Sequence, residues 1–169
     1  MPASTFDPEQ LRSAMQQWST GVTIVAAVHE GVRHGMTVNS FTSISLDPAW
    51  VTISLQKSAR THELICQAGS FGLTILALDQ KELADRFSGR RPDIEDRFAG
   101  LETVQYLTGA PLIKGGLAHL DCRVLQRIEV GMNSLFIAEV LAAFNAGSGE
   151  PLIYHKRQYW RLVDHNSSG

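Results

Sequence analysis

Two stretches concentrate side chains that could hold a ligand. In HGMTVNSFTSISLDP, residues 34–48, small hydrogen-bonding groups crowd a segment whose apolar positions, Met36, Val38, Ile44 and Leu46, suit a strand. Thr37, Asn39, Ser40 and Thr42, with Ser54 and Gln56 a little later, offer donors and acceptors suited to a polar heteroaromatic ring. In KSART, the residues Ser58, Arg60 and Thr61 stand at a predicted helix start. Free N–H groups, two hydroxyls and a guanidinium there make a ready phosphate site. A ring site beside a phosphate site implies a phosphorylated cofactor. The same residues also admit a plainer reading, in which the hydroxyls of the strand face solvent and Ser58 or Thr61 only caps the helix. Both readings stand on the residues alone.

Other chemistries have less to support them. The six histidines, His29, His34, His62, His119, His155 and His165, show no metal-ligand spacing with Cys, Asp or Glu, so no metal is expected. No GxSxG elbow or P-loop occurs, and Cys66 and Cys122 lie in no basic motif, so no catalytic side chain is assigned. Trp50, Trp160, Tyr154 and Tyr159 are first of all core or interface anchors, although Tyr154-His155 ends a short strand at which a pocket rim could lie. Phe87, in the setting DRFSG, either anchors a helix end or lies against a planar ligand. Arg86, Arg90 and Arg91 read as a solvated cluster that could also draw an anionic tail.

The elements that must position these groups follow from period and punctuation. Residues 6–21 start a helix, with Asp7 as cap, Pro8 at the first helical position and Gln10 three residues after the cap; Leu11, Met15 and Trp18 fall on one face. VTIVAAVHEGVRHG reads as a hairpin whose return strand is the quoted stretch, and Asp47-Pro48 makes the next turn. In WVTISLQ, Val51, Ile53 and Leu55 alternate with Trp50, Thr52, Ser54 and Gln56, which predicts a strand with one buried and one polar side. A helix stopped by Gly69, the strand SFGLTILAL and a helix closed by Gly89 come next. Residues 89–116 form an excursion, and here DRFxG, found at 85–89, returns at 96–100. Four more strands complete the chain, roughly LAHLDCRVLQRIEVG, MNSLFIAEVLAAFNAG, PLIYHK and QYWRLV. Many hairpins with few helical crossovers predict a mainly β, mostly antiparallel small closed barrel with flanking helices.

Length and charge set outer bounds. With 169 residues, 44% of them hydrophobic, the chain can bury a real core as one domain, read here as 1–169 with a core at about 10–163 and a tail at 164–169. Fifteen basic against 17 acidic residues leave no broad positive field, so neither nucleic acid nor an anionic membrane is an expected partner. Two cysteines without a CxxC spacing, and no signal-peptide pattern, give the expectation of a reducing, cytoplasmic setting.

GMTVNSFTSISLDPAWVTISLQKSARTHELICQAGSFGLTIL, followed by the helix that ends in DRFSG, resembles the flavin reductase-like family, whose members supply reduced flavin to two-component monooxygenases. The resemblance runs from about residue 10 to residue 163 and rests on TxNSFTSxSLDP followed by SLxxSxxT. It implies an antiparallel Greek-key FMN-binding split barrel that works as a homodimer, with flavin near the dimer interface. On this resemblance Thr37, Val38, Asn39, Ser40, Phe41 and Thr42 line the isoalloxazine ring, largely through main-chain groups, and Ser54, Leu55, Gln56, Ser58, Arg60 and Thr61 hold the tail. Phe87, Ser88 and Gly89 match the segment that closes over the flavin. Members that use NADH commonly carry Gly-Asp-His where this chain has Gly131, Met132 and Asn133. Asn133 can position a nicotinamide amide but carries no charge; with Tyr154 and His155 it completes the nicotinamide candidates.

The resulting expectation is an NAD(P)H:flavin oxidoreductase using FMN or FAD, with NADH or NADPH as donor, a homodimer that passes reduced flavin to a monooxygenase. Hydride transfer belongs to the cofactors, and main-chain N–H groups at residues 40–42 stabilise the charge that develops on the flavin edge. Two alternatives remain on the sequence: an FMN-holding electron carrier without NAD(P)H turnover, motivated by the missing histidine, and a non-catalytic module for a planar cofactor.

Overall fold

The computed structural model describes residues 6–91, 93–146 and 148–164. His165 and all of the expected tail except Asp164 lie outside the described residues. The strands are β1 (Thr20–Gly21), β2 (Thr23–His29), β3 (Val32–Val38), β4 (Thr42–Leu46), β5 (Ala49–Gln56), β6 (Ser70–Ile75), β7 (Thr103–Val104), β8 (Leu112–Ile113), β9 (Ala118–Val130), β10 (Asn133–Asn145), β11 (Ile153–His155) and β12 (Gln158–Trp160). The helices are α1 (Pro8–Met15), α2 (Arg60–Ala68) and α3 (Lys81–Phe87), the last preceded by a 3-10 turn at Leu78–Gln80.

Seven strands form one antiparallel sheet in the order β3-β2-β6-β9-β10-β5-β4. Side chains from both flanks meet in a single core: Val25 and Val38 from one flank, Val51, Ile53 and Leu55 from the other, with Phe71, Leu73 and Phe136 between them. The sheet therefore wraps around its own apolar face as a barrel, and each of these side chains removed from water contributes about 1.5–3 kcal/mol. The edge strands β3 and β4 share no ladder, so the barrel is split along one seam rather than closed. The seam is bridged by a side chain instead: Ser40 Oγ donates to the Ser54 carbonyl (2.7 Å) and accepts from the Ser54 N–H (3.1 Å).

That seam corrects the sequence reading of residues 34–46 as one strand. The chain leaves the ladder at residues 39–41, and β3 pairs with β2 while β4 pairs with β5. The reason lies in the pattern itself, because the apolar alternation is interrupted at Asn39-Ser40 and no buried surface holds those residues in register. Two other expectations also change. The N-cap of α2 is Ala59 with no side-chain cap, so neither Ser58 nor Thr61 caps it. Helix α1 starts as expected, Asp7 accepting from the Glu9 N–H (2.9 Å), but it ends at Met15 and buries nothing; Leu11, Met15 and Trp18 are exposed.

A second core cluster lies beneath α3 and explains the DRFxG echo. Phe87 and Phe98, one from each copy, meet edge to face at 4.9 Å. The arginines cross over: Arg86 Nη2 donates to the Asp96 and Ala99 carbonyls, and Arg97 Nη1 donates to those of Phe87 and Gly35. A Cβ on Gly35 would stand 3.0 Å from Phe87, so glycine lets β3 sit directly on this pair. The excursion after α3 is thereby fastened to the barrel, with β7 and β8 as a small separate ladder.

Candidate functional site

Two connected concavities open beside the seam. A cleft of about 160 Å³ is lined by Val22, Thr37, Asn39, Ser88, Arg90, Tyr154 and Tyr159. A groove of about 610 Å³ adjoins it, shares Asn39 and Tyr154, and includes Ser40, Phe41 and Thr42 with Arg12, Trp18, Lys156 and Arg157. The groove alone falls in the range of roughly 300–1,000 Å³ usual for small-molecule sites.

The seam supplies the chemistry of this surface. Among the described residues, the N–H groups of residues 39–41 donate to no backbone or side-chain acceptor, and the Asn39 amide and Thr42 hydroxyl have no partner. Unpaired peptide N–H groups on residues that line a cleft and a groove are available as donors to an electron-rich edge. The other polar groups are already engaged in holding the surrounding elements. Thr37 Oγ1 donates to the Ala84 carbonyl (2.6 Å) and ties β3 to α3. Ser88 Oγ donates to the Asp85 carbonyl (2.8 Å) and accepts from the Arg90 N–H, which fixes the end of α3 at the cleft. Asn133 Nδ2 donates to Ser54 Oγ (3.2 Å), so Ser40, Ser54 and Asn133 form a hydrogen-bonded line from the seam to the β9–β10 turn.

The short hairpin of β11 and β12 forms the opposite wall. Tyr154 and Tyr159 face each other at 5.7 Å. Burial, reinforced by the neighbouring Asp85 carboxylate, pushes the Tyr159 phenol up to about 12, so it stays neutral and can donate. The His155 ring is held through Nδ1 by Ser19 Oγ (2.9 Å), and the Trp160 indole donates to the His155 carbonyl (3.0 Å). Apart from this Ser19–His155 contact, no serine or threonine hydroxyl of the two linings bonds a histidine or a carboxylate among the described residues, and the surface can bind and polarise.

The predicted residues divide by where their side chains go. Thr37, Asn39, Ser88 and Tyr154 converge on the cleft, and Asn39, Ser40, Phe41 and Thr42 on the groove. Val38 and Leu55 are core residues and Phe87 is fully buried against Phe98, so these three can offer a ligand only main-chain atoms. Gln56 and Ser58 are exposed at the end of β5. Arg60 and Thr61 do not join them. Thr61 is wholly buried with its hydroxyl on His34 Nδ1 (2.8 Å), and Arg60 lines a separate depression with Arg33, His34 and Arg97. Burial, with the charges of Arg97 and Arg60 behind it, lowers His34 to about 4. The sequence reading did not assign Arg12, Trp18, Lys156 or Arg157 to the site; only the last two carried a signal, as cationic residues in a two-residue turn where glycine is usual.

Residues 15–162 match the family described as Flavin reductase like domain. The chain belongs to the flavin reductase-like family. Within it, the chain is 39% identical over 160 residues to the NADH-dependent flavin reductase StyB of Pseudomonas fluorescens, covering 93% of this chain and 91% of that one. A probable flavin reductase of Rhizobium meliloti is 38% identical over 148 residues, 87% of this chain; the chain spans about half the length of that relative, 47%. The structure of the Streptomyces globisporus C-1027 NADH:FAD oxidoreductase SgcE6 in complex with NAD and FAD fragments superposes with a TM-score of 0.87 at 32% identity, covering 97% of this chain and 99% of that one. The flavin reductase-like split barrel expected from TxNSFTSxSLDP is thus the fold observed, with antiparallel strands and flanking helices.

Proposed function

We propose that this protein is an NAD(P)H-dependent flavin reductase that binds FMN, with FAD as an alternative flavin, and hands reduced flavin to a partner monooxygenase. The observation that carries the reading is the set of unpaired N–H groups at residues 39–41, between the β11–β12 wall and the end of α3. A bound flavin supplies the redox chemistry, accepting a hydride equivalent from reduced nicotinamide. The protein's part is to hold and polarise. The N–H groups of residues 39–41 and the Asn39 amide would meet the carbonyl-bearing edge of the ring, where negative charge grows on reduction. Thr42, Ser54, Gln56 and Ser58 extend the polar surface toward the tail, and Ser88 with Gly89 closes the cleft from α3. Asn133, Tyr154 and His155 are assigned to the nicotinamide side. Asn133 acts there as an anchored neutral amide, since its Nδ2 already engages Ser54.

We further read the protein as a single-domain homodimer of the cytoplasm. Leu46, Trp50, Ile128 and Val130 leave apolar side chains exposed on one flank of the sheet, a surface suited to a second copy. Cys66 and Cys122 are free thiols, in keeping with a reducing compartment. The test is nicotinamide absorbance in the presence of NADH or NADPH with FMN or FAD in each combination. Oxidation with at least one pair is expected; absence of turnover with every pair rejects the reductase assignment.

A further inference from the structure

Of the four two-residue hairpin loops among the described residues, three place residues at positive φ, and the fourth, Asp47-Pro48 between β4 and β5, does not. Glu30-Gly31 joins β2 to β3 with both residues at positive φ, the second a glycine, and Gly131-Met132 joins β9 to β10 with glycine first. Both follow the usual rule for tight hairpins. Lys156-Arg157, which joins β11 to β12, breaks it: both residues are at positive φ, 48° and 62°, and neither is glycine. Two long cationic side chains are held in a backbone conformation that asparagine and glycine adopt more readily.

Where the turn sits gives that choice a purpose. Lys156 and Arg157 line the groove beside the seam, and Arg12 of α1 lines it too. The Lys156 N–H donates to the Gln16 carbonyl (3.2 Å), which fixes the turn against the segment that follows α1. The groove thus has three cations and no Asp or Glu in its lining, in a chain where acidic residues outnumber basic ones, 17 to 15. Arg12 has an ion pair with Glu9 (2.7 Å), but both are well exposed and the pair holds it weakly. By contrast the other basic depression, around Arg60, includes Glu95 and Asp96.

We propose that Lys156 and Arg157, with Arg12, form an anion-recognition rim for the phosphate ester of the nucleotide bound at the seam, and that this task maintains the strained turn. The proposal rests on the flavin reductase reading and adds a second, charge-based contact to it. The phosphate is either that of the flavin or the pyrophosphate of the nicotinamide nucleotide, two sources of one chemistry.

The test uses the full chain with two double variants. K156N/R157G installs the favoured turn and removes the charge; K156Q/R157Q removes the charge but keeps side-chain bulk at positive φ. Binding is measured by calorimetry, without turnover, for FMN, riboflavin, ADP and reduced nicotinamide mononucleotide. Both variants are expected to weaken at least one of FMN and ADP by about tenfold or more at low salt, leaving riboflavin within about twofold. Weakening of FMN alone assigns the flavin phosphate, and weakening of ADP alone the nicotinamide pyrophosphate. K156N/R157G is expected to unfold at a temperature no lower than the wild type. Unchanged FMN and ADP affinities in both variants overturn the proposal, as does an equal loss for riboflavin. Failure of the reductase reading shows separately, as wild-type protein that oxidises neither NADH nor NADPH with any flavin.

Discussion

The seam at residues 39–42 and the start of α2 at residues 58–61 looked alike as sequence, since each offers hydroxyls that could meet a ligand, a polar ring at the first and a phosphate at the second. The folded protein treats them in opposite ways. At the seam the ladder stops, so the peptide N–H groups of residues 39–41, the Asn39 amide and the Thr42 hydroxyl are left without partners on an open groove. At α2 the Thr61 hydroxyl is sealed inside against His34, and Arg60 turns to a different face. Polar residues become a binding surface only where the fold leaves their hydrogen-bonding capacity unused. Four measurements would break or sharpen that contrast.

The largest effect is expected at Phe87, which the family resemblance placed over the ligand and the structure places in the core. Phe87→Ala should lower unfolding stability by about 3–5 kcal/mol in urea titrations, because it empties the space against Phe98. A loss of flavin binding with stability unchanged would return Phe87 to the site.

Thr61→Val comes next. Burying the His34 nitrogen without its partner should cost about 1–3 kcal/mol of stability, while the ratio of FMN to riboflavin affinity stays as in the wild type. A selective loss of FMN would mean that the α2 start, not the seam, handles phosphate.

Asn39→Ala reverses that profile. Its side chain is exposed and unpartnered, so stability should move by no more than about 0.5 kcal/mol, whereas flavin affinity should fall about tenfold. Equal flavin affinity in the two proteins would remove the Asn39 amide from the site.

The smallest effect is a pH dependence of stability from His34. Its folded value, about 4, lies below the ordinary 6.5, so between these values the unfolded chain binds a proton that the folded chain refuses. Stability should therefore fall as pH drops from about 6.5 toward 4 and the His34 contribution should level off below. His34→Gln should flatten that part of the profile; an unaltered slope would assign it to other groups.

Much of this was legible because it depends on local pattern. Val51, Ile53 and Leu55 alternate strictly and are buried in the order expected, and Gly69 and Gly89 end their helices at positive φ. The TxNSFTSxSLDP and SLxxSxxT motifs carried the resemblance to the family, and the family match over residues 15–162 agrees with it. What stayed hidden depended on partners far away in the chain. Thr61 and His34 are 27 positions apart, Asn133 and Ser54 79, and Ser19 and His155 136. The DRFxG echo was visible as a repeat, but nothing in it says that each arginine serves the other copy's carbonyls.

By itself, then, the sequence determined most of the strands and turns, because alternation and glycine placement act over a few residues, and its resemblance to known members pointed to the family. Only the tertiary structure decided which hydroxyls are satisfied internally and which face a ligand. It also decided that Lys156 and Arg157 reach the same groove as Arg12 and Asn39. The physical reason is that a hydrogen bond or a cluster of like charges depends on distance in space, and the split of the barrel at residues 39–41 sets those distances.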